Sequence, residues 1–189
     1  MFSMDLILIS YIADFVFGDP QWFPHPVRLM GRLILFLERI LNGNRDKTTQ
    51  RFYGALSALG VIAISGMCAY VIIELATKLH PVAGNIAWVF LAYTTLAIKD
   101  LVIHARAVWK RLSINDIEGV RKKLSLMVGR DTEKLSQDEV IHATVETVAE
   151  STTDGIVAPL FYLFLGGPVL AVMFKAISTL DSMIGHKNK

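Results

Sequence analysis

Four side chains able to bind metal or move protons recur at every fourth position late in the sequence: His142, Glu146, Glu150 and Asp154. On a helix this spacing places them on one face, a turn apart. Carboxylates in such a row repel one another, and a divalent cation would relieve the repulsion; a row of solvated surface charges is the other reading. Spacing alone does not separate the two. Upstream, Asp100, His104 and Arg106 follow an apolar run, where they fit either a reactive group or interfacial anchoring. Arg130 and Asp131 lie in Val128-Gly129-Arg130-Asp131-Thr132, which reads as a helix end and a turn; an arginine there can grip a phosphate. Lys175 follows another apolar run and could snorkel, with Asp181 and His186 beyond it. Near the start, Asp19, His25 and Arg28 fall in a proline-punctuated connector, Phe17-Gly18-Asp19-Pro20 and Pro24-His25-Pro26, stiff enough to aim the helix after it. Spacing assigns these three no chemistry.

Composition shows where such residues must sit. Of 189 residues, 53% are hydrophobic and 19% charged, against about 45–50% and 25% in soluble domains. A net charge of +2 gives no pull on nucleic acid. The single cysteine, Cys68, excludes an internal disulfide and a cysteine-based zinc site. The apolar start is not a secretory signal: no basic segment precedes it, and it contains Asp5 and Asp14. No phosphate-binding loop, dinucleotide fingerprint, zinc-protease helix or nucleophile elbow occurs in the sequence.

The elements that must position the polar residues are therefore membrane helices. Residues 54–73 and 82–98 carry no charge, and His80-Pro81 connects them tightly, so spans over 54–76 and 82–98 form a hairpin. Residues 2–17 form a further span, with nine Leu, Ile, Phe and Val residues outweighing Asp5 and Asp14 at the two ends. Residues 155–174 are uncharged but broken by Gly166-Gly167-Pro168, as either one kinked span or two half-helices turning back. Loops 18–53 and 99–154 hold six and nine Lys and Arg residues, while the 77–81 connector holds one, so both large loops should be cytoplasmic. Residues 29–41 read as a basic amphipathic helix in the headgroup plane. The second loop reads as helices over about 101–112 and 116–127, then a third opened by a Ser136–Glu139 capping box. The expected fold is all-α: one polytopic transmembrane helical domain with cytoplasmic helical loops.

Four ordered blocks carry a family resemblance: residues 14–34 (DFVFGDPQWFPHPVRLMGRLI), 99–108 (KDLVIHARAV), 126–132 (LMVGRDT), and 143–188 (ATVETVAESTTDGIVAPLFYLFLGG with FKAISTLDSMIGHKN). In these the chain resembles the adenosylcobinamide-phosphate synthase family of cobalamin biosynthesis, the CobD/CbiB proteins. Ser151-Thr152 departs from the Asn-Thr usual in that family. Its members also continue past the Gly185-His186-Lys187-Asn188 motif, so the chain reads as an N-terminal portion.

The resemblance implies an acid–amine ligase that joins adenosylcobyric acid to (R)-1-amino-2-propanol O-2-phosphate, with ATP consumed and Mg2+ required. It implies Glu146, Glu150 and Asp154 as magnesium ligands or base, with His104, Asp131 and Asp181 orienting groups or relaying protons. Arg28, Arg106, Arg130 and Lys175 would meet phosphates, and Asp19, His25 and His186 would join them in substrate binding. The corrinoid would lie against the floor made by the amphipathic helix, in the lipid bilayer; self-association into a homo-oligomer stays open. Two other readings are an AmpE-like regulatory membrane protein and a component of a corrinoid transporter.

Overall fold

The computed structural model describes residues 4–19, 25–41, 47–126, 128 and 132–184. All regular structure among them is helical, as expected. The helices are α1 (Met4–Phe17), α2 (Pro26–Leu41), α3 (Lys47–Leu79), α4 (Pro81–Tyr93), α5 (Ile98–Leu112), α6 (Ile117–Leu124), α7 (Gln137–Thr152) and α8 (Ala158–Ile184). A π-helical turn, Thr153–Val157, joins α7 to α8.

The hairpin forms as the charge-free runs require. His80 caps α4 by accepting from the Val82 N–H through Nδ1 at 3.1 Å, with Pro81 in the first turn where its missing N–H costs nothing. The two helices touch most closely where a Cβ on Gly84 would lie 3.0 Å from the Thr77 Cα. The same His-Pro-Val triplet opens α2, where His25 Nδ1 accepts from the Val27 N–H at 3.3 Å.

Helical rise sets the scale. From Gly60 to Leu79 is ~28 Å and from Pro81 to Ile98 ~25 Å, close to the ~30 Å of hydrocarbon in a bilayer. Three helical stretches are long and apolar enough to cross: Thr48–Leu79, Pro81–Leu112 and Gln137–Met183. With 14 residues, α1 is not among them.

Two expected spans have a different internal form. The 82–98 run is interrupted: α4 stops at Tyr93 and α5 starts at Ile98. Thr94 and Thr95 end α4 by donating their hydroxyls to the Leu91 and Ala92 carbonyls at 2.8 and 2.7 Å. The 155–174 run turns back on itself. At Gly167 the backbone has φ 66° and ψ −163°, a region open to glycine alone. Across that turn the Tyr162 and Phe174 rings stack with centroids 5.0 Å apart. In a straight helix twelve residues would separate them by ~18 Å. Leu163 and Ala171, one from each limb, are buried in one cluster with Trp88, Ala92 and Leu96. The returning limb packs Met173 against Gly66 of α3. Thus the turn lies ~10 Å short of the hairpin end.

The loop between α5 and α7 closes a small core of its own: Val108, Val120, Leu124, Val140 and Ala143 are all fully buried. Asp116 caps α6 and the Ser136–Glu139 capping box opens α7, as expected. Arg121 donates to the Leu135 carbonyl while Thr132 donates to the Arg121 carbonyl, which ties the α6–α7 connection together.

Candidate functional site

The polar residues converge where four chain breaks meet: the end of α1, the start of α2, the α4–α5 interruption and the π turn. Each contributes for a local reason. At the end of α1, Gly18 takes φ 63° and its N–H returns to the Asp14 carbonyl at 2.8 Å. A side chain there would also meet Lys99, whose Cδ lies 2.7 Å from the Cβ position. Its carbonyl accepts from the Tyr93 hydroxyl, and Lys99 Nζ donates to the Val16 carbonyl at 2.6 Å. These bonds clamp the start of α5 to the end of α1.

Asp14 completes the clamp. It is 2% exposed, and its carboxylate accepts from the Ile98 N–H at 2.6 Å. Ala97, the residue that precedes α5, offers no side-chain cap. The cap therefore comes from a residue 84 positions away, satisfying a donor that the broken helix would orphan. Beside it the Ala97 N–H donates to the Gly155 carbonyl at 3.0 Å, docking the π turn onto the same junction. π turns of this kind often sit at functional sites.

Around the junction stand the ionisable groups. His25 Nε2 is 3.3 Å from Asp19 Oδ1. Because His25 Nδ1 accepts from the Val27 amide, the neutral ring carries its proton on Nε2, facing Asp19. The two atoms are not aligned for a hydrogen bond, so Asp19 Oδ1 is the buried side-chain polar atom left without a partner among the described residues. Burial lowers the His25 pKa, against the pull of Asp19; the Lys175 and Arg28 charges lower it further. Burial raises the Asp19 pKa, against the pull of His25. Lys175, half-buried on the returning limb of α8, lies within electrostatic range of Asp19, Asp14 and Asp154. Asp100 acts on Asp14, Asp19, His25 and Tyr93.

Of the residues singled out in the sequence, Asp19, His25, Arg28, Asp100, Asp154 and Lys175 come together here. The α7 row divides. Asp154, set in the π turn, is partly buried and acts on Lys175, whereas His142, Glu146 and Glu150 are exposed. Among the described residues no three His, Cys, Asp or Glu side chains are grouped to hold a metal ion. The row Glu146, Glu150, Asp154 thus makes no preformed cage. His104 and Arg106 are exposed on α5, and Asp181 on the last turns of α8. Arg130, Asp131 and His186 lie outside the described residues. Sequence reasoning missed Asp14, Tyr93 and Lys99 as parts of the site. The signal was an acid retained in an apolar helix, which is costly unless something needs it.

Comparison with known proteins gives a consistent answer. The family model described as CobD/Cbib protein matches residues 7–189. A Listeria monocytogenes (serotype 4b, strain F2365) protein named cobalamin biosynthesis protein CobD is 43% identical over 180 residues, covering 95% of this chain and 57% of its own length. Cobalamin biosynthesis protein CbiB of Salmonella typhi is 45% identical over 183 residues, covering 96% of this chain and 57% of that protein. CobD of Pelobacter propionicus (strain DSM 2379) is 42% identical over 184 residues, 97% of this chain and 56% of the relative. The chain thus spans between half and two thirds of the length of these relatives. No solved structure matches it. With a matched region that contains every residue of the clamp and its ionisable cluster, the chain belongs to the CobD/CbiB family of membrane proteins.

Proposed function

We propose that the chain serves cobalamin biosynthesis as part of an adenosylcobinamide-phosphate synthase. In this reading it joins adenosylcobyric acid to (R)-1-amino-2-propanol O-2-phosphate through an amide bond. The observation that supports it is the Asp19–His25–Lys175 group at the polar end of the bundle, in a chain whose relatives carry cobalamin-biosynthesis names. Those names favour ligation over AmpE-like regulation or corrinoid transport.

Each group suits a demand of amide formation. A carboxylate at neutral pH resists an amine, so it must be activated; ATP would supply the phosphoryl group for that. Lys175 and Arg28 would steady phosphate oxygens as charge builds on them. An incoming ammonium must shed a proton before it attacks. Asp19, with one oxygen buried and unbonded, is placed to bind that ammonium and take its proton. His25, neutral and buried, turns its Nε2–H side toward Asp19 at 3.3 Å and adds no charge to compete with the ammonium. Four carboxylates (Asp14, Asp19, Asp100, Asp154) stand with three cations (Arg28, Lys99, Lys175), which favours a cationic amine. Magnesium would come with ATP, held mainly by phosphates, with Asp154 the nearest carboxylate of the α7 row.

Full-length protein carrying this chain should restore adenosylcobinamide phosphate formation to a strain lacking the synthase. Absence of the product with the protein present in the membrane would refute the assignment. The cluster must also face the cytoplasm, where ATP is found. A reporter at Asn115 should behave as cytoplasmic and one at His80 as external. Swapped signals would put the cluster on the wrong side.

A further inference from the structure

We infer that the outer face of α2 is a docking surface for anionic phospholipid headgroups. This goes beyond a helix that merely lies in the interface, and rests on how its residues are distributed around it. Met30, Ile34, Leu33 and Leu37 form the face packed on α3 and α8. Opposite that face, at helical spacing of about 100° per residue, run Arg28, Arg32 and Arg39, all exposed. Between the two, on one side, lie Leu29, Phe36 and Ile40, which are 57%, 58% and 56% exposed. On the other side are Leu35, also exposed, and Glu38. The helix therefore has a packed face, an apolar edge, an arginine face and an edge that carries Leu35 and Glu38, in rotational order.

Its depth fits this division. His25, at the start of α2, belongs to the junction at Ile98, and Leu37 meets Gly60. Both levels are ~25–28 Å from the hairpin turn by helical rise, the far boundary of the hydrocarbon. The helix thus runs along the membrane boundary. Its apolar edge enters the acyl chains. Arg28 is within range of Asp19 and His25, while Arg32 and Arg39 look sideways into the surrounding headgroups. Zwitterionic headgroups would give these two guanidiniums no net countercharge, whereas anionic headgroups complement them bidentately. A basic residue at an anionic surface gains roughly fivefold in partitioning. For Arg32 and Arg39 together this gives roughly tenfold to thirtyfold enrichment of anionic lipid beside α2.

The test reads lipid at the helix and needs no enzyme activity. Phe36→Cys in a Cys68→Ser background carries an environment-sensitive fluorophore, and the full chain is reconstituted in phosphatidylcholine bilayers. Brominated phosphatidylglycerol should quench the label as strongly as a severalfold higher mole fraction of brominated phosphatidylcholine. Arg32→Gln with Arg39→Gln should abolish the preference, and the Lys pair should retain part of it. Equal quenching by the two lipids, or a preference that survives the double Gln change, would overturn the inference. Inorganic phosphate should displace no more phosphatidylglycerol than chloride at equal ionic strength. Greater displacement would identify a free-phosphate site instead.

Discussion

Changing Lys175 to glutamine in the full-length protein should cut amide formation at least a hundredfold, whereas Glu146→Gln and Glu150→Gln should each leave it within about threefold. The contrast follows from where these charges sit. Lys175 stands on the returning limb of α8 within range of Asp14, Asp19 and Asp154, and the neighbouring His25 and Asp19 are both shifted by burial. Removing its charge takes from Asp14, Asp19 and Asp154 the cation they share, and deprives a developing phosphate charge of its partner. Such a contact, made in the transition state, accounts for two or more decades in rate at about 1.4 kcal/mol per decade. Glu146 and Glu150 are exposed on α7, and changes at solvated surface charges are usually within about 0.5 kcal/mol. Asp154→Asn should follow Lys175→Gln, because Asp154 lies within electrostatic range of Lys175. Lys175→Arg separates charge from position: it should recover activity in part if the cation is needed. Protein levels in the membrane are compared first. Normal turnover in Lys175→Gln would remove this cluster from the chemistry, and loss in Glu146→Gln or Glu150→Gln alone would move it to the outer face of α7.

The three long apolar stretches, the hairpin, the capping box and the helix over α2 were legible because each depends on residues close together in sequence. Charge-free length, a His-Pro at the bend and Ser136 three residues before Glu139 are local signals. The break at Gly166-Gly167 was visible, but its outcome was not. Kink and reversal use the same residues, and what separates them is the Tyr162–Phe174 stack and the α3 surface under Met173. The candidate site was legible only in part for the same reason. The four-residue spacing of His142, Glu146, Glu150 and Asp154 carries no sign that Asp154 lies partly buried within range of Lys175 while the other three are exposed. Arg121 heads the basic run Arg121-Lys122-Lys123, yet it bonds the Leu135 carbonyl across a loop. Lys175 looked like a snorkelling end, since its partners, Asp14, Asp19 and Asp154, come from three distant segments. The comparisons with relatives supplied the family, but the pairing of these segments comes from the fold.

Asp14 allows a test in which insertion and folding change in opposite directions. On the insertion scale an aspartate at a helix centre costs about 3 kcal/mol and a leucine contributes about −0.5, with smaller values toward the ends. By that measure Asp14→Leu should make α1 enter the membrane at least as well as the parent. In the fold the same carboxylate is 2% exposed and accepts from the Ile98 N–H at 2.6 Å, where no nearer side chain caps α5. Leucine would leave that buried donor unpaired, at a cost of about 1–3 kcal/mol. For a chain of this size that corresponds to a fall in Tm of about 2–12 °C. Asp14→Asn keeps a carbonyl oxygen and should lose less than half as much. Fraying at Ile98 should also loosen the clamp between Lys99 and the Val16 carbonyl, which hydrogen exchange at the start of α5 would report. The measurements are insertion efficiency of α1 from a reporter fusion and thermal unfolding in detergent. A leucine variant as stable as the parent would show that Asp14 is carried for another reason, and that the interrupted helix finds its cap elsewhere.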